Sequence, residues 1–112
     1  MNVAVMGLGW WGRIIVPLAK TSSRLRVVRV ADPAPAAAEF AQSQNLPLST
    51  GLDDVLRDPN VQGVVLCTPH TQHTDQIVRA ANAKKHVFCE TPLAMSRADV
   101  LKSVGACNTY CV

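Results

Sequence analysis

The sequence predicts an α/β fold built on a doubly wound parallel sheet. Three observations carry that expectation: five short apolar or β-branched runs, helical patterning in the intervals between them, and a glycine cluster where the first run ends. The 112 residues suit one domain, 1–112, because a single core usually serves about 100–200 residues. With 48% hydrophobic and 17% charged residues, the chain is too apolar and too evenly charged for disorder.

Asn2 to Met6 is the first strand, ending at the glycines. Trp10 to Thr21 has helical spacing, with Ile14, Ile15, Leu18 and Ala19 expected on its apolar face. Pro17 removes one backbone donor there and should kink the helix or confine it to its first turns. Leu25 to Ala31 is the valine-rich second strand. Pro35 to Gln44 is an alanine-rich helix, with Pro35 suited to its first turn. Leu46 to Leu48 is a brief third strand. Ser49 or Thr50 is then expected to cap a short helix through Arg57, stopped by Pro59.

Val61 to Cys67 is nearly all apolar, as a strand covered on both faces should be. Thr71 to Lys84 is helical and His86 to Cys89 is the fifth strand. Ser96-Arg97-Ala98-Asp99 opens the last helix with a capping-box pattern. Cys107 and Cys111, four apart, are placed where they could share a helix face.

Composition excludes several functions. No apolar run approaches the ~18 residues of a membrane span, and Arg13 and Lys20 interrupt the best stretch. No basic segment precedes the first hydrophobic run, so a cytoplasmic location with reduced thiols is expected. The net charge is +3, and Arg13, Lys20, Arg24, Arg26 and Arg29 all precede the first acid, Asp32. That cluster lacks interleaved aromatics to stack on bases, so no nucleic-acid partner is expected. The four cysteines form no Cys-x-x-Cys pair and lie at no zinc-finger spacing from the histidines, so no metal site is nominated.

Gly7-Leu8-Gly9-Trp10-Trp11-Gly12 is a G-x-G-x-x-G, which gains weight by following a strand and opening a helix. The first glycine permits the tight turn, the second lets amides approach a pyrophosphate, and the third lets helix pack on strand. A turn without a ligand is the plainer reading, and Asp32 weighs against it. It stands 20 residues after Gly12, at the end of the second strand, where a carboxylate can accept both ribose hydroxyls. The same charge opposes the 2′-phosphate of NADP, so NAD is expected over NADP. Thr68-Pro69 follows the fourth strand at the carboxyl edge, where ligands collect. His73 falls near the next helix start, where it could face the cofactor. His70 and His86 have weaker claims.

Four segments together resemble one family. Gly9-x-Trp11-Gly12, Ala31-Asp32-Pro33, Cys67-Thr68-Pro69-His70-Thr71-Gln72-His73 and Lys85-His86-Val87-Phe88-Cys89-Glu90-Thr91-Pro92-Leu93-Ala94 are similar to the glucose–fructose oxidoreductase and inositol dehydrogenase (Gfo/Idh/MocA) family, from Val3 to about Leu101. The resemblance implies an amino-terminal NAD(P)-binding domain of Rossmann type. In family members a second α/β domain follows, holding the substrate and mediating oligomerisation. The implied reaction is hydride transfer between nicotinamide and a sugar, polyol or related hydroxyl-bearing substrate. Motifs and resemblance together nominate Gly7, Leu8, Gly9, Trp10, Trp11, Gly12, Asp32, Pro33, Thr68, Pro69, His73, Glu90 and Pro92 for the cofactor.

Three departures qualify the resemblance. Thr91 stands where the family usually has the lysine of Glu-Lys-Pro, taken to assist proton transfer, so the catalytic residue stays unassigned. A hydroxyl supplies neither a cation nor a useful base at neutral pH. Lys84 replaces the glycine that often closes the preceding helix, at a cost of roughly 1 kcal/mol if the position is left-handed. The third is the chain's end, after which neither a sixth strand nor a substrate domain has sequence to form it, unless Tyr110-Cys111-Val112 begins that strand. An unfinished sheet edge invites pairing with a second copy. The sequence therefore reads as a truncated dehydrogenase domain, inactive alone, or as a stand-alone dinucleotide-binding or interaction module.

Overall fold

A computed structural model describes residues 1–112. Strands β1 (Asn2–Met6), β2 (Arg26–Ala31), β3 (Leu48–Ser49), β4 (Gly63–Leu66) and β5 (His86–Cys89) form one sheet in the order β3-β2-β1-β4-β5. Every neighbouring pair is parallel. The order reverses at β1, whose two neighbours are β2 and β4. In such sheets the crevice at the carboxyl ends of the strands on either side of the reversal receives ligands.

Alternate residues of the strands serve two cores. Val3 and Val5 of β1 point one way, with Val27, Val30 and Val65, and pack against α1 (Trp10–Lys20) and α2 (Ala37–Ser43). Ala4 and Met6 point the other way, with Val64 and Leu66, and pack against α3 (Leu52–Arg57) and α4 (His73–Asn82). The last helix, α5 (Arg97–Tyr110), lies mainly on α4. All four residues of β4 are buried, as its unbroken apolar run requires. Over β4 and β5 the first face stays open, leaving an apolar groove of about 400 Å³ bordered by Leu18, Leu25 and Phe88.

Several local expectations are corrected. Pro17 neither ends α1 nor confines it to its first turns, since the helix runs on to Lys20. Pro17 lies on the exposed side, where the carbonyl it deprives of a donor can be hydrated. The buried stripe of α1 is Gly12 and Val16, flanked by Ile15 and Ala19, while Leu18 faces solvent at 58% exposure. Pro35 sits in the turn before α2, accepting from Ala38 N at 3.2 Å. Neither Ser49 nor Thr50 caps α3. Gly51 holds that position, and Ser49 is buried in β3 with its hydroxyl accepting from Arg29 at 2.9 Å. Tyr110-Cys111-Val112 starts no strand: Tyr110 ends α5 and Cys111 is its left-handed cap. Cys107 and Cys111 share no helix face, since Cys107 packs on the core and Cys111 is exposed.

Lys20 and Arg29 of the early basic cluster bond to other parts of the chain, while Arg24 and Arg26 are exposed. Lys20 donates to Gln44 O at 2.9 Å, and Arg29 bridges Ser49 and Asp58. The Asn60 backbone N–H holds the Asp58 carboxyl below the usual carboxylate range, against desolvation, with Arg29 adding to the effect. Buried Lys85 ties β5 to the turn before β4 through Asp58 O and Val61 O, at 2.9 and 2.6 Å. It therefore serves the amino end of the strand, opposite Thr91.

The Ser96 cap forms as expected: its hydroxyl accepts from Asp99 N at 3.2 Å and donates to the Asp99 carboxylate at 2.7 Å. Lys84 is left-handed, with φ of 57°. Replacing it by glycine removes the Cβ penalty at the cost of a more flexible unfolded chain. Lys84→Gly should therefore gain about 0.5–1 kcal/mol in urea unfolding. A variant less stable than the parent contradicts this account of the turn.

Candidate functional site

The site begins where β1 turns into α1. Gly7 has φ of 86°, and a Cβ there would lie 2.5 Å from Cys67 O. At Gly12 a Cβ would fall 1.8 Å from Gly7 O, so no side chain fits between α1 and the turn. Around Gly9 a Cβ would meet nothing within 4 Å. Two glycines thus face protein and one faces open space, the arrangement needed for a ligand to approach the backbone. Arg13 N donates to Gly9 O at 3.1 Å and starts the helical ladder. The amides of Trp10, Trp11 and Gly12 lie ahead of it, with no side-chain cap and no acidic residue in the first turn. That helix start suits an anion.

Asp32, at the end of β2, fixes this loop from the side. One carboxylate oxygen accepts from Leu8 N and the other from Ala34 N, both at 2.7 Å. Each oxygen keeps a further acceptor position, and the side chain is only half-buried. Arg13 completes the lock. Its guanidinium donates to Leu8 O at 2.9 Å and Ala36 O at 3.2 Å, lying 5.2 Å above the Phe40 ring. Sequence reasoning had counted Arg13 only as part of a basic cluster. Its place one residue after the last glycine was the available signal.

Beside Asp32 opens a cleft of about 660 Å³ that also reaches Gly7, Pro33, Thr68 and Pro69. Thr68 Oγ1 donates to Gln76 Oε1, and Gln76 Nε2 donates to Gln72 Oε1 at 3.0 Å. The cleft's far wall carries Arg79, paired with Asp53 and Asp75. Trp10 and Trp11 stack with centroids 5.6 Å apart at the helix start, and Trp10 is 77% exposed. Beneath the turn, burial first and Glu90 second push the Cys67 thiol up to about 11. The same causes act on Cys89, so both stay protonated at neutral pH.

The β5 side differs from expectation at His73. Its side chain is wholly buried, and its ring nitrogens lie 3.0 Å from Pro92 O and 2.9 Å from Thr68 O. The ring therefore faces two backbone carbonyls rather than the cleft. Glu90 is half-buried just past β5, and its N–H donates to Leu66 O at 3.0 Å. Thr91 and Pro92 are exposed at that edge.

Comparison with known proteins places this arrangement. The model of an oxidoreductase family, NAD-binding Rossmann fold (Gfo/Idh/MocA), matches residues 1–110. The chain belongs to this family. It is 31% identical over 108 residues to 2,7-anhydro-N-acetylneuraminate hydratase of Escherichia coli, covering 96% of this chain and 29% of that protein. Inositol 2-dehydrogenase of Rhizobium meliloti is 36% identical over 94 residues, covering 83% of this chain and 28% of its own. GenD2 from gentamicin A biosynthesis, in complex with NAD, superposes with a TM-score of 0.94 at 26% identity. That match covers 100% of this chain and 32% of the other. The chain thus spans about three-tenths of the length of these relatives and corresponds to the NAD-binding domain of the Gfo/Idh/MocA oxidoreductases. No helix is long and apolar enough to cross a membrane.

The glycines of this Gfo/Idh/MocA domain make separable predictions. Gly12→Ala forces α1 off the turn and should cost at least about 2 kcal/mol in urea unfolding. Gly9→Ala should stay within about 0.5 kcal/mol of the parent while weakening NADH about tenfold in calorimetry. Equal stability losses at the two positions would contradict the assignment of one glycine to packing and the other to ligand approach.

Proposed function

We propose that this domain binds NAD(H) in preference to NADP(H), through the α1 amino terminus and Asp32. It serves as the cofactor-holding part of an oxidoreductase that acts on a sugar, polyol or related hydroxyl-bearing substrate. The observation that carries this reading is the Asp32 carboxylate, held by two backbone N–H groups at the rim of the cleft. A ribose diol can donate to its remaining acceptor positions. A 2′-phosphate there would meet a fixed negative charge. Arg13 is committed to Leu8 O, Ala36 O and the Phe40 face, which leaves its fork poorly placed to offset that repulsion.

The residues present fit the cofactor. Trp10, Trp11 and Gly12 offer amides to the diphosphate, and open space at Gly9 admits it. Leu8 and Pro33 shape the rim around Asp32, while Thr68 and Pro69 line the cleft. Glu90 and Pro92 border the same edge beyond β5. Bound nicotinamide supplies the hydride donor or acceptor. The relatives include a protein named a hydratase and another named a dehydrogenase. That differently named proteins match over this one domain supports a substrate selected elsewhere.

Thr91 favours a second reading, a dinucleotide-binding module without hydride chemistry. Its exposed hydroxyl brings a hydrogen bond to the β5 edge and no cation. Calorimetry with NADH and NADPH tests the cofactor preference. NADH should bind about tenfold more tightly or better, and Asp32→Asn, which keeps the acceptor for Leu8 N, should narrow the gap. Tighter NADPH binding by the parent, or an unchanged preference in Asp32→Asn, refutes the role given to Asp32.

A further inference from the structure

We infer that His73 is a positioning residue for the nicotinamide half of the dinucleotide, acting through the two loops that its imidazole ties together. This rests on the dinucleotide reading above. Leu66 of β4 pairs with Cys89 of β5, so the chain leaves both strands side by side at one edge of the sheet. Thr68 lies just beyond one strand and Pro92 just beyond the other. His73, the first residue of α4, reaches both through its two ring nitrogens, at 2.9 and 3.0 Å.

The ring has no exposed surface and so touches no ligand itself. Both its partners are carbonyl oxygens, which only accept. A neutral ring donates to one of them at a time and the imidazolium donates to both. The edge of the neighbouring His70 ring packs against it, with centroids 5.5 Å apart. Thr68 is held a second time, through its hydroxyl on Gln76. Pro92 has no amide N–H of its own, and the His73 ring is the bond recorded at its carbonyl.

The sheet order says which half of the ligand this affects. Asp32 ends β2, on one side of β1, and claims the adenosine ribose. The diphosphate crosses at the α1 start. The remaining half then falls over β4 and β5, where the clamped loops stand. Loosening the clamp should therefore weaken NADH and spare ADP, which ends at the diphosphate.

Calorimetry with both ligands on the parent, His73→Gln and His73→Ala tests this. His73→Ala should weaken NADH about tenfold and change ADP by no more than about twofold. His73→Gln, whose amide can reach one carbonyl, should fall between, and added imidazole should recover part of the His73→Ala loss. Equal weakening of both ligands would mean a purely structural role and overturn the inference, as would unchanged NADH affinity. If neither variant folds, nitrogen NMR of the parent decides: the His73 ring signals should move with NADH and stay put with ADP. Ring signals unmoved by NADH overturn it. A parent that binds neither ligand overturns the dinucleotide reading and this inference with it.

Discussion

The closeness of α1 to the end of β1 is the constraint on which the rest of this structure depends. Gly12 sits so near Gly7 O that even a methyl group is excluded, and Gly7 turns through a left-handed conformation against the carbonyl of Cys67. This contact lays the first turn of α1 across the carboxyl ends of β1 and β4, with its leading amides directed at open space. A wider approach would move those amides away from the crevice. It would also separate Leu8 N from the Asp32 carboxylate, which receives it at 2.7 Å.

Short polar contacts from each side then turn that packed joint into a site. Asp32 and Arg13 grip the two peptide units that flank Leu8, the carboxylate taking Leu8 N–H and the guanidinium giving to Leu8 O. A loop fixed at both its donor and its acceptor loses little further freedom when a ligand binds, which favours affinity. On the far side His73 and Gln76 perform the same service for the loops beyond β4 and β5. Asp32 thus both fixes the loop and lines the cleft, while Arg13 and His73 hold their loops from outside it.

Most of the architecture was legible in the sequence because its signals are local. Strand-sized apolar runs, the glycine spacing and the Ser96 cap depend on neighbours in the chain and appear where expected, save that β3 is Leu48–Ser49 rather than Leu46 to Leu48. The expectations that failed depended on tertiary facts. The confinement of α1 to its first turns by Pro17 does not occur, because Pro17 lies on the exposed side of the helix. Ser49 was read as a cap, yet it was recruited into the sheet by Arg29, which no local rule couples to it. His73 does start a helix, but the direction of its ring depends on two carbonyls from separate loops. Arg13 was hidden for the opposite reason, since its charge looked like surface and its partners are backbone atoms that leave no mark on sequence.

The central claim, that the glycine turn and Asp32 form a dinucleotide cradle, is tested most directly by amide NMR of the intact chain titrated with NADH. Backbone signals of Leu8 to Gly12 and of Asp32 should move together and saturate at one ligand per chain, while Val3, Leu25 and Phe88 at the apolar groove stay fixed. Shifts centred on that groove, or no shift at the glycine turn under saturating NADH, would contradict the account.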